Sequence, residues 1–296
     1  MQRKIIYPIF VALSLLWYPS PEASAQKKEV KILPEKIVSK FQAFALSLVT
    51  DPTNGTWLSL PASTVKLIPQ DVQEPKLAQP AITSLKVRSL NNGSWIAFHI
   101  EWDDPTEDFN LRVDRYSDGV SVEFPLNPKQ PPDHRMGSEK EPVHLLLWKA
   151  SQQKAKEGTS FLALNYPNRW SDYSPYELPG NPISPAQVVE IKNLLPAVAV
   201  GNSIVPGTAP VVEELYAETW NKVTVKEDQH AIGKGTWKDK HWYVVIARPI
   251  ITPDPQDAPL DGGSSYVSFA CWDGVKANQG PRKMVTEGWL TLEIGK

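Results

Sequence analysis

The sequence predicts a mainly β protein: an antiparallel β-sandwich with a long, partly helical insertion. Three observations predict it, namely many short segments of alternating polarity, 28 prolines and few helical patterns. The clearest segment is "SWIAFHIEW" (94–102), in which Ile96, Phe98 and Ile100 share one face. The turn sequence "NNG" (91–93) joins it to "ITSLKVRSL" (82–90), so the two are expected to form a hairpin.

Similar patterns predict the remaining strands, at "TWLSL" (56–60), "VKLIP" (65–69), "DGVSVEFPL" (118–126), "VHLLLWK" (143–149), "AIGKGTWKDKHWYVVIARP" (231–249), "SSYVSFACW" (264–272) and "EGWLTLEI" (287–294). Within the fifth of these, "KDK" predicts a hairpin turn. Residues at about 150–228 have a different composition and are interpreted as the insertion. A helix is predicted there at "SPAQVVEIKNLL" (184–195), where Ser184 suits the N-cap and Pro185 the first turn.

The N-terminus has the pattern of a secretory signal. Basic Arg3 and Lys4 precede an apolar run over 5–18, and the small residues at 23–25 suit a cleavage site. An uncleaved anchor is the alternative, but the run is shorter than the roughly 20 residues that a membrane span needs. We therefore expect a signal peptide over 1–25 and a single domain over 26–296. The expected location is extracytoplasmic, in the periplasm or an equivalent lumen.

Composition and motifs exclude several function classes. A formal net charge of −2 gives no basic footprint for nucleic acid. Cys271 is the single cysteine, so an intramolecular disulfide, a thioether-linked haem and a cysteine-held iron–sulfur cluster are excluded. Hydrolase elbows, zinc helices and phosphate-binding loops are missing from the sequence.

Scattered polar residues are given structural interpretations. The sequence predicts that His99 and His144 are structural histidines in strands with their hydrogen bonds satisfied, and that His134 and His241 are exposed near turns. The acidic stretch "EWDDPTED" (101–108) is expected to be a solvated turn and not a calcium or acid–base site. Most of the 11 tryptophans occupy alternating strand positions, which predicts burial. Exposed tryptophans would instead favour the alternative function, an exported carbohydrate-binding module.

Two loops carry residues that could bind iron. Met136 lies in the polar loop of "PPDHRMGSEKEP" (131–142), and Lys283 and Met284 lie in "DGVKANQGPRKMVTEGW" (273–289). Methionine sulfur is a soft, neutral ligand, whereas a lysine binds iron only as the neutral amine, against an ordinary pKa of about 10.4. From composition alone, a Met136–histidine pair is as natural as a Met136–lysine pair. Simple packing accounts for Met284.

The combination of "DGVSVEFP", "RMGSEKEPVHLLLWKA" and "SYVSFACWDGVKANQGPRKMVTEGWLTLEI" resembles the haem b-binding γ subunit of type II DMSO-reductase-family molybdoenzymes. That group includes ethylbenzene and dimethylsulfide dehydrogenases, selenate and chlorate reductases and nitrite oxidoreductase, and the chain resembles the nitrite oxidoreductase type most. The resemblance implies haem b held between Met136 and Lys283 as axial ligands. Lys276, in the same loop as Lys283, is the second candidate for the lysine ligand.

The resemblance also implies the role of the protein. It would be a non-catalytic electron-transfer subunit with one noncovalent, six-coordinate haem b. It would relay electrons between the iron–sulfur β subunit of a complex with a molybdenum catalytic α subunit and a soluble c-type cytochrome.

Overall fold

The computed structural model describes residues 30–77, 79–168 and 210–296. This part of the chain contains fourteen strands: β1 (Ile32–Phe41), β2 (Ser63–Lys66), β3 (Ile68–Pro69), β4 (Ser84–Asn91), β5 (Trp95–Asp103), β6 (Gly119–Pro125), β7 (Val143–Lys149), β8 (Val212–Thr219), β9 (Lys222–Val225), β10 (Ile232–Lys238), β11 (His241–Pro249), β12 (Ser264–Trp272), β13 (Met284–Val285) and β14 (Trp289–Ile294). Its helices are α1 (Gly55–Leu58), α2 (Ala150–Lys156) and α3 (Phe161–Asn165), with 3-10 turns at Leu46–Thr50 and Gly274–Lys276.

The strands form two layers that share β12. The first layer runs β10-β11-β5-β4-β1-β14 and ends on the N-terminal half of β12, which pairs with β14 over 264–267. The C-terminal half of β12, over 268–272, pairs with β6, and the second layer continues through β7 and β8 to β9. Short β13 lies on the other side of β12 and pairs with β3. The change of layer within β12 makes a sandwich.

The core lies between the two layers and is built by alternation along the strands. In β5, Phe98 and Ile100 point inward and are fully buried, and Val120 and Val122 of β6 meet them from the second layer. A strand with every second residue apolar must bury that face, and burying each large side chain contributes about 1.5–3 kcal/mol. The mainly β sandwich predicted from sequence is confirmed.

Two features of the fold differ from the sequence expectation. β1 is parallel to both of its neighbours, β4 and β14, so the sandwich is mixed and not wholly antiparallel. The predicted strand "TWLSL" is wrong, because this segment contains helix α1. The side chain of Asn54 accepts a hydrogen bond from the Thr56 amide (3.0 Å) and caps the helix, and Trp57 is buried beneath it.

The range of the predicted insertion contains helices α2 and α3 and, at its C-terminal end, β8 and β9, which extend the second layer. The predicted signal peptide and the predicted helix over 184–195 lie outside the described residues. Among the described helices, none has the length and apolar character that crossing a membrane requires.

Candidate functional site

A groove lies on the outer face of the second layer, opposite the core. Alternate residues of β6, β7, β8 and β12 line it, because residues i and i+2 of a strand share a face: Ser121, Glu123, Leu145, Leu147, Leu215, Ser268, Ala270 and Trp272. Residues between these positions, such as Leu146 and Trp148, belong to the core. The loops that follow β6 and β12 cover part of the floor and leave a half-open cavity of about 270 Å³.

The two loops bring Met136 and Lys283 together. Lys283 Nζ lies 3.4 Å from Met136 Sδ, although the two residues are 147 positions apart in the sequence. Both side chains are partly buried, and both line the cavity. In the part of the chain that the structure describes, no carboxylate lies within ion-pair distance of Lys283.

The backbone of the first loop is held in an unusual conformation. Met136 has φ 72°, and Gly137, which follows it, has φ 72° as well. A left-handed conformation costs roughly 1–2 kcal/mol for a residue with a side chain. Glycine is required at 137, since an added Cβ would lie 2.8 Å from the carbonyl oxygen of Glu141. The turn aims the methionine sulfur into the groove instead of toward solvent.

Trp289 and an ion pair fix the base of this loop. The indole N–H of Trp289, a fully buried residue of β14, donates to the carbonyl oxygen of Pro132 (2.7 Å). Arg135 pairs with Asp133 (2.5 Å) inside the loop and with Asp71 (3.1 Å) outside it. Strained turns persist where the surroundings hold them in this way.

The second loop places Lys283 over an aromatic ring. Lys283 Nζ lies 5.4 Å from the ring centroid of Trp272, and the carbonyl of Lys283 accepts the N–H of Gln70 (3.1 Å). The second candidate, Lys276, ends an exposed 3-10 turn and does not line the cavity. Met284 is fully buried in the core, as the packing interpretation predicts.

Glu123 is a site residue that the sequence did not indicate. It is 6% exposed, in the middle of β6, and its carboxylate faces the cavity. Burial raises the pKa of the Glu123 carboxyl to about 8, against the opposing effect of the Lys283 charge. Burial also lowers the pKa of the Lys283 amine, against the attraction of Glu123. Both shifts favour the neutral forms, and a neutral amine is the form of lysine that can bind a metal.

Two sequence interpretations of polar residues are wrong. His134 is not exposed, since its side chain is 9% exposed beside Asp133, and burial lowers its pKa to about 4. The acidic turn is not simply solvated, because Asp104 is 1% exposed and forms a cluster with Asp108, Asp118 and Asp273. His99 and His144 are both fully buried; His99 Nε2 lies 2.8 Å from the carbonyl oxygen of Pro52, and His144 Nε2 lies 3.3 Å from Glu214. His241 is partly exposed.

Sequence comparisons identify relatives of the chain. A family model described as ethylbenzene dehydrogenase matches residues 54–176, a range that contains Met136. A putative respiratory nitrate reductase heme subunit of Haloferax mediterranei is 29% identical over 246 residues, or 82% of this chain and 68% of that protein. The dimethylsulfide dehydrogenase subunit gamma of Rhodovulum sulfidophilum is 20% identical over 81% of this chain and 73% of that protein.

Two solved structures of a carbohydrate binding module family 9 from Caldicellulosiruptor kristjanssonii, with glucose and with cellotriose, align with 88% of this chain. The alignments cover 97% and 94% of those chains, with TM-scores of 0.41 and 0.40 and 8% sequence identity. The family match and the two sequence relatives confirm the resemblance predicted from the two loops: the chain is similar to the haem-binding γ subunits of molybdoenzymes.

Proposed function

We propose that the protein is the electron-transfer subunit of a molybdenum oxidoreductase complex and binds one noncovalent haem b with Met136 and Lys283 as axial ligands. The convergence of Met136 Sδ and Lys283 Nζ at 3.4 Å carries the proposal. The two side chains come from distant loops, and each offers a donor atom that binds iron without bringing a charge.

The residues that line the groove are suited to binding haem b. Leu145, Leu147 and Leu215 provide an apolar floor suited to a macrocycle, and Trp272 adds an aromatic wall. Lowering the pKa of Lys283 by burial reduces the cost of removing its proton. Bound haem b would supply one-electron redox chemistry, and two protein ligands would leave no iron position for a substrate. This supports a non-catalytic role for the chain.

The residues of this chain would set the potential of the site. Neutral methionine and lysine ligands leave the ferric charge uncompensated, and an apolar floor excludes water, so both favour the ferrous form. The proposed partners are those that the family resemblance implies: a catalytic molybdenum subunit and an iron–sulfur subunit on one side, and a soluble c-type cytochrome on the other. A nitrite oxidoreductase complex is the proposed type, with an extracytoplasmic location after signal cleavage.

Replacing the two proposed ligands tests the haem assignment. Met136→Ala and Lys283→Ala are each expected to abolish the low-spin ferrous α-band, because one axial position loses its donor. Met284→Leu is the matched control for methionine and Lys276→Ala for lysine, and both should keep the band. The spectra are recorded on the complete chain, and a pyridine haemochrome identifies the haem type.

Each outcome bears on a separate part of the proposal. An unchanged α-band in Met136→Ala removes the methionine assignment, whereas loss of the band in Lys276→Ala moves the lysine assignment from Lys283 to Lys276. A colourless wild-type protein that takes up no haemin and binds polysaccharide would replace the haem proposal with the carbohydrate-binding alternative. Purification from the native organism with identification of bound subunits tests the proposed partners.

A further inference from the structure

Glu123 is a buried carboxylate without an ion pair. It is 6% exposed on β6, between β7 and β12, and among the described residues no cation lies within ion-pair distance of it. An isolated buried carboxylate is costly, and an apolar residue at this position would serve the sheet better. The contacts of its two carboxylate oxygens explain why glutamate occupies this position.

The two oxygens of Glu123 have different partners. Oε1 accepts the backbone N–H of Met136 (3.3 Å), and Oε2 accepts the hydroxyl of Ser268 (3.2 Å). Ser268 lies opposite Glu123 in the pairing of β12 with β6, so the sheet fixes both Ser268 and Glu123. The Glu123 carboxylate therefore fixes the backbone of Met136, a loop residue, relative to the rigid strand β6.

The bond to Met136 acts at the strained point of the loop. Met136 is the residue in the left-handed conformation, and its N–H points inward to Glu123 instead of outward to water. The neighbouring contacts hold the loop elsewhere: Trp289 binds the carbonyl of Pro132, and the N–H of Gly137 donates to the carbonyl of Asp133 (3.2 Å). The Glu123 bond holds the amide on the N-terminal side of Met136, and the Gly137 bond holds the peptide on its C-terminal side.

From this geometry we infer that Glu123, oriented by Ser268, is the positioning residue that directs the Met136 sulfur into the groove as a ligand. This inference rests on the proposed haem function. Glu123 acts through Met136 and is not itself a ligand. The identity of the acceptor matters more than its charge, since a neutral carbonyl oxygen at the same place would accept the same N–H.

Four variants test this role in the complete chain reconstituted with haemin. Glu123→Ala removes the acceptor and is expected to replace the methionine-ligated low-spin ferric spectrum with a high-spin one, and to speed transfer of haem to an apo-globin at least tenfold. Glu123→Gln keeps an acceptor oxygen and is expected to restore the low-spin spectrum. Ser268→Ala frees the carboxylate and should give a mixture of the two spectra. Glu101→Ala removes a buried carboxylate of the other layer and should leave the spectrum unchanged.

A crystal structure of haem-free Glu123→Ala provides a readout that needs no haem, and Met136 is expected to leave φ near 72°. If wild type and Glu123→Ala share one methionine-ligated spectrum and one haem-transfer rate, the positioning role is wrong and the haem proposal stands. If Glu123→Gln behaves like Glu123→Ala, an acceptor is insufficient and the role as stated is also wrong. Failure of wild type to bind haemin removes both proposals. If Glu123→Ala does not fold, Ser268→Ala decides by the same spectral criterion.

Discussion

Two lysines shielded from solvent, the buried Lys226 and the partly buried Lys283, lie on opposite sides of the second layer and have opposite electrostatic surroundings. Lys226 is 3% exposed and pairs with Glu214. The same carboxylate pairs with His144, whose side chain is on the inner face of β7. Lys283 lies in the groove beside Leu145, on the outer face of the same strand. The residue type is the same and both are removed from water, so the difference lies in their partners.

Lys226 has three carboxylate partners. Its Nζ lies 3.2 Å from Glu214 and 2.9 Å from Asp254, and it also pairs with Asp257. Burial alone lowers the pKa of Lys226, but the hydrogen bonds of Asp254 and Asp257 outweigh it and the pKa is raised. Lys283 has a thioether and an aromatic ring as its nearest partners, and burial lowers its pKa.

The comparison shows how the partners of a lysine shielded from water set the direction of its pKa shift. Carboxylates keep Lys226 charged, and its ion pairs tie β8 to the loop that follows β11. An apolar groove favours the neutral amine of Lys283, whose lone pair is then free to bind a metal. Burial of a lysine therefore indicates a ligand only where carboxylate partners are missing.

The largest effect is expected from Lys226→Met. The substitution leaves Glu214, Asp254 and Asp257 close together without their central cation, so the free energy of unfolding should fall by about 3–5 kcal/mol. Urea denaturation at pH 7 measures the change. Lys222→Met is the matched control, because this lysine of β9 makes an exposed pair with Glu218 and its loss should change stability far less than Lys226→Met. Equal losses in the two variants would contradict the structural role of Lys226.

The next largest expected effect is a pH dependence of the free energy of unfolding. It should differ between buried carboxylates that have a cationic partner and those that have none. Burial raises the pKa of Asp118 to about 8, and the charge of Asp104 adds to the shift. A carboxyl with a raised pKa keeps its proton in the folded state where the unfolded chain has lost it. Its stabilising contribution is therefore present below about pH 4 and is lost as the pH rises toward 8.

Between pH 5 and pH 8 the contribution of Asp118 to the free energy of unfolding is expected to fall by roughly 2–4 kcal/mol, whereas His99 and His134, whose pKa burial lowers to about 4, add stability up to about pH 6.5. Glu214 should not contribute over this range. Although burial raises its pKa, His144 and Lys226 lower it to about 2, so its contribution is lost only below pH 4.5. Asp104→Asn removes a like charge near Asp118 and should make the decline shallower in urea titrations across the range. Identical pH profiles of wild type and Asp104→Asn from pH 5 to pH 8 would contradict the raised pKa values of Asp104 and Asp118 in the folded state.

The sequence predicted those parts of the fold whose buried positions are apolar. Strands β5, β7, β11 and β12 alternate strongly and were predicted nearly to the residue. Strands β1 and β8 were not predicted. The buried positions of β1 include Ser39, and those of β8 include Glu213 and Glu214, so polarity does not reveal the inward face. Their burial depends on partners such as His144, which only the folded chain supplies.

Prediction of the candidate site from the sequence has the same limit: it misses residues whose role depends on contacts made only in the folded chain. Met136 and Lys283 could be predicted because their loops resemble those of a known family, and the folded chain brings the two side chains into contact. Glu123 could not, because alternation along "SVEFP" places it on the face that ordinarily meets solvent. Its importance arises from a loop that covers this face and from the register that sets it opposite Ser268.

The smallest effect is expected from Lys283→Met, the same substitution at the other buried lysine. A methionine of similar volume removes a poorly paired amine from an apolar groove, so the free energy of unfolding of the haem-free protein should change by less than about 1 kcal/mol or increase slightly. Urea denaturation at pH 7, beside Lys226→Met, gives the direct contrast. A loss above about 2 kcal/mol would show that Lys283 is a structural cation like Lys226, because a residue kept for metal binding contributes little to the stability of the haem-free fold.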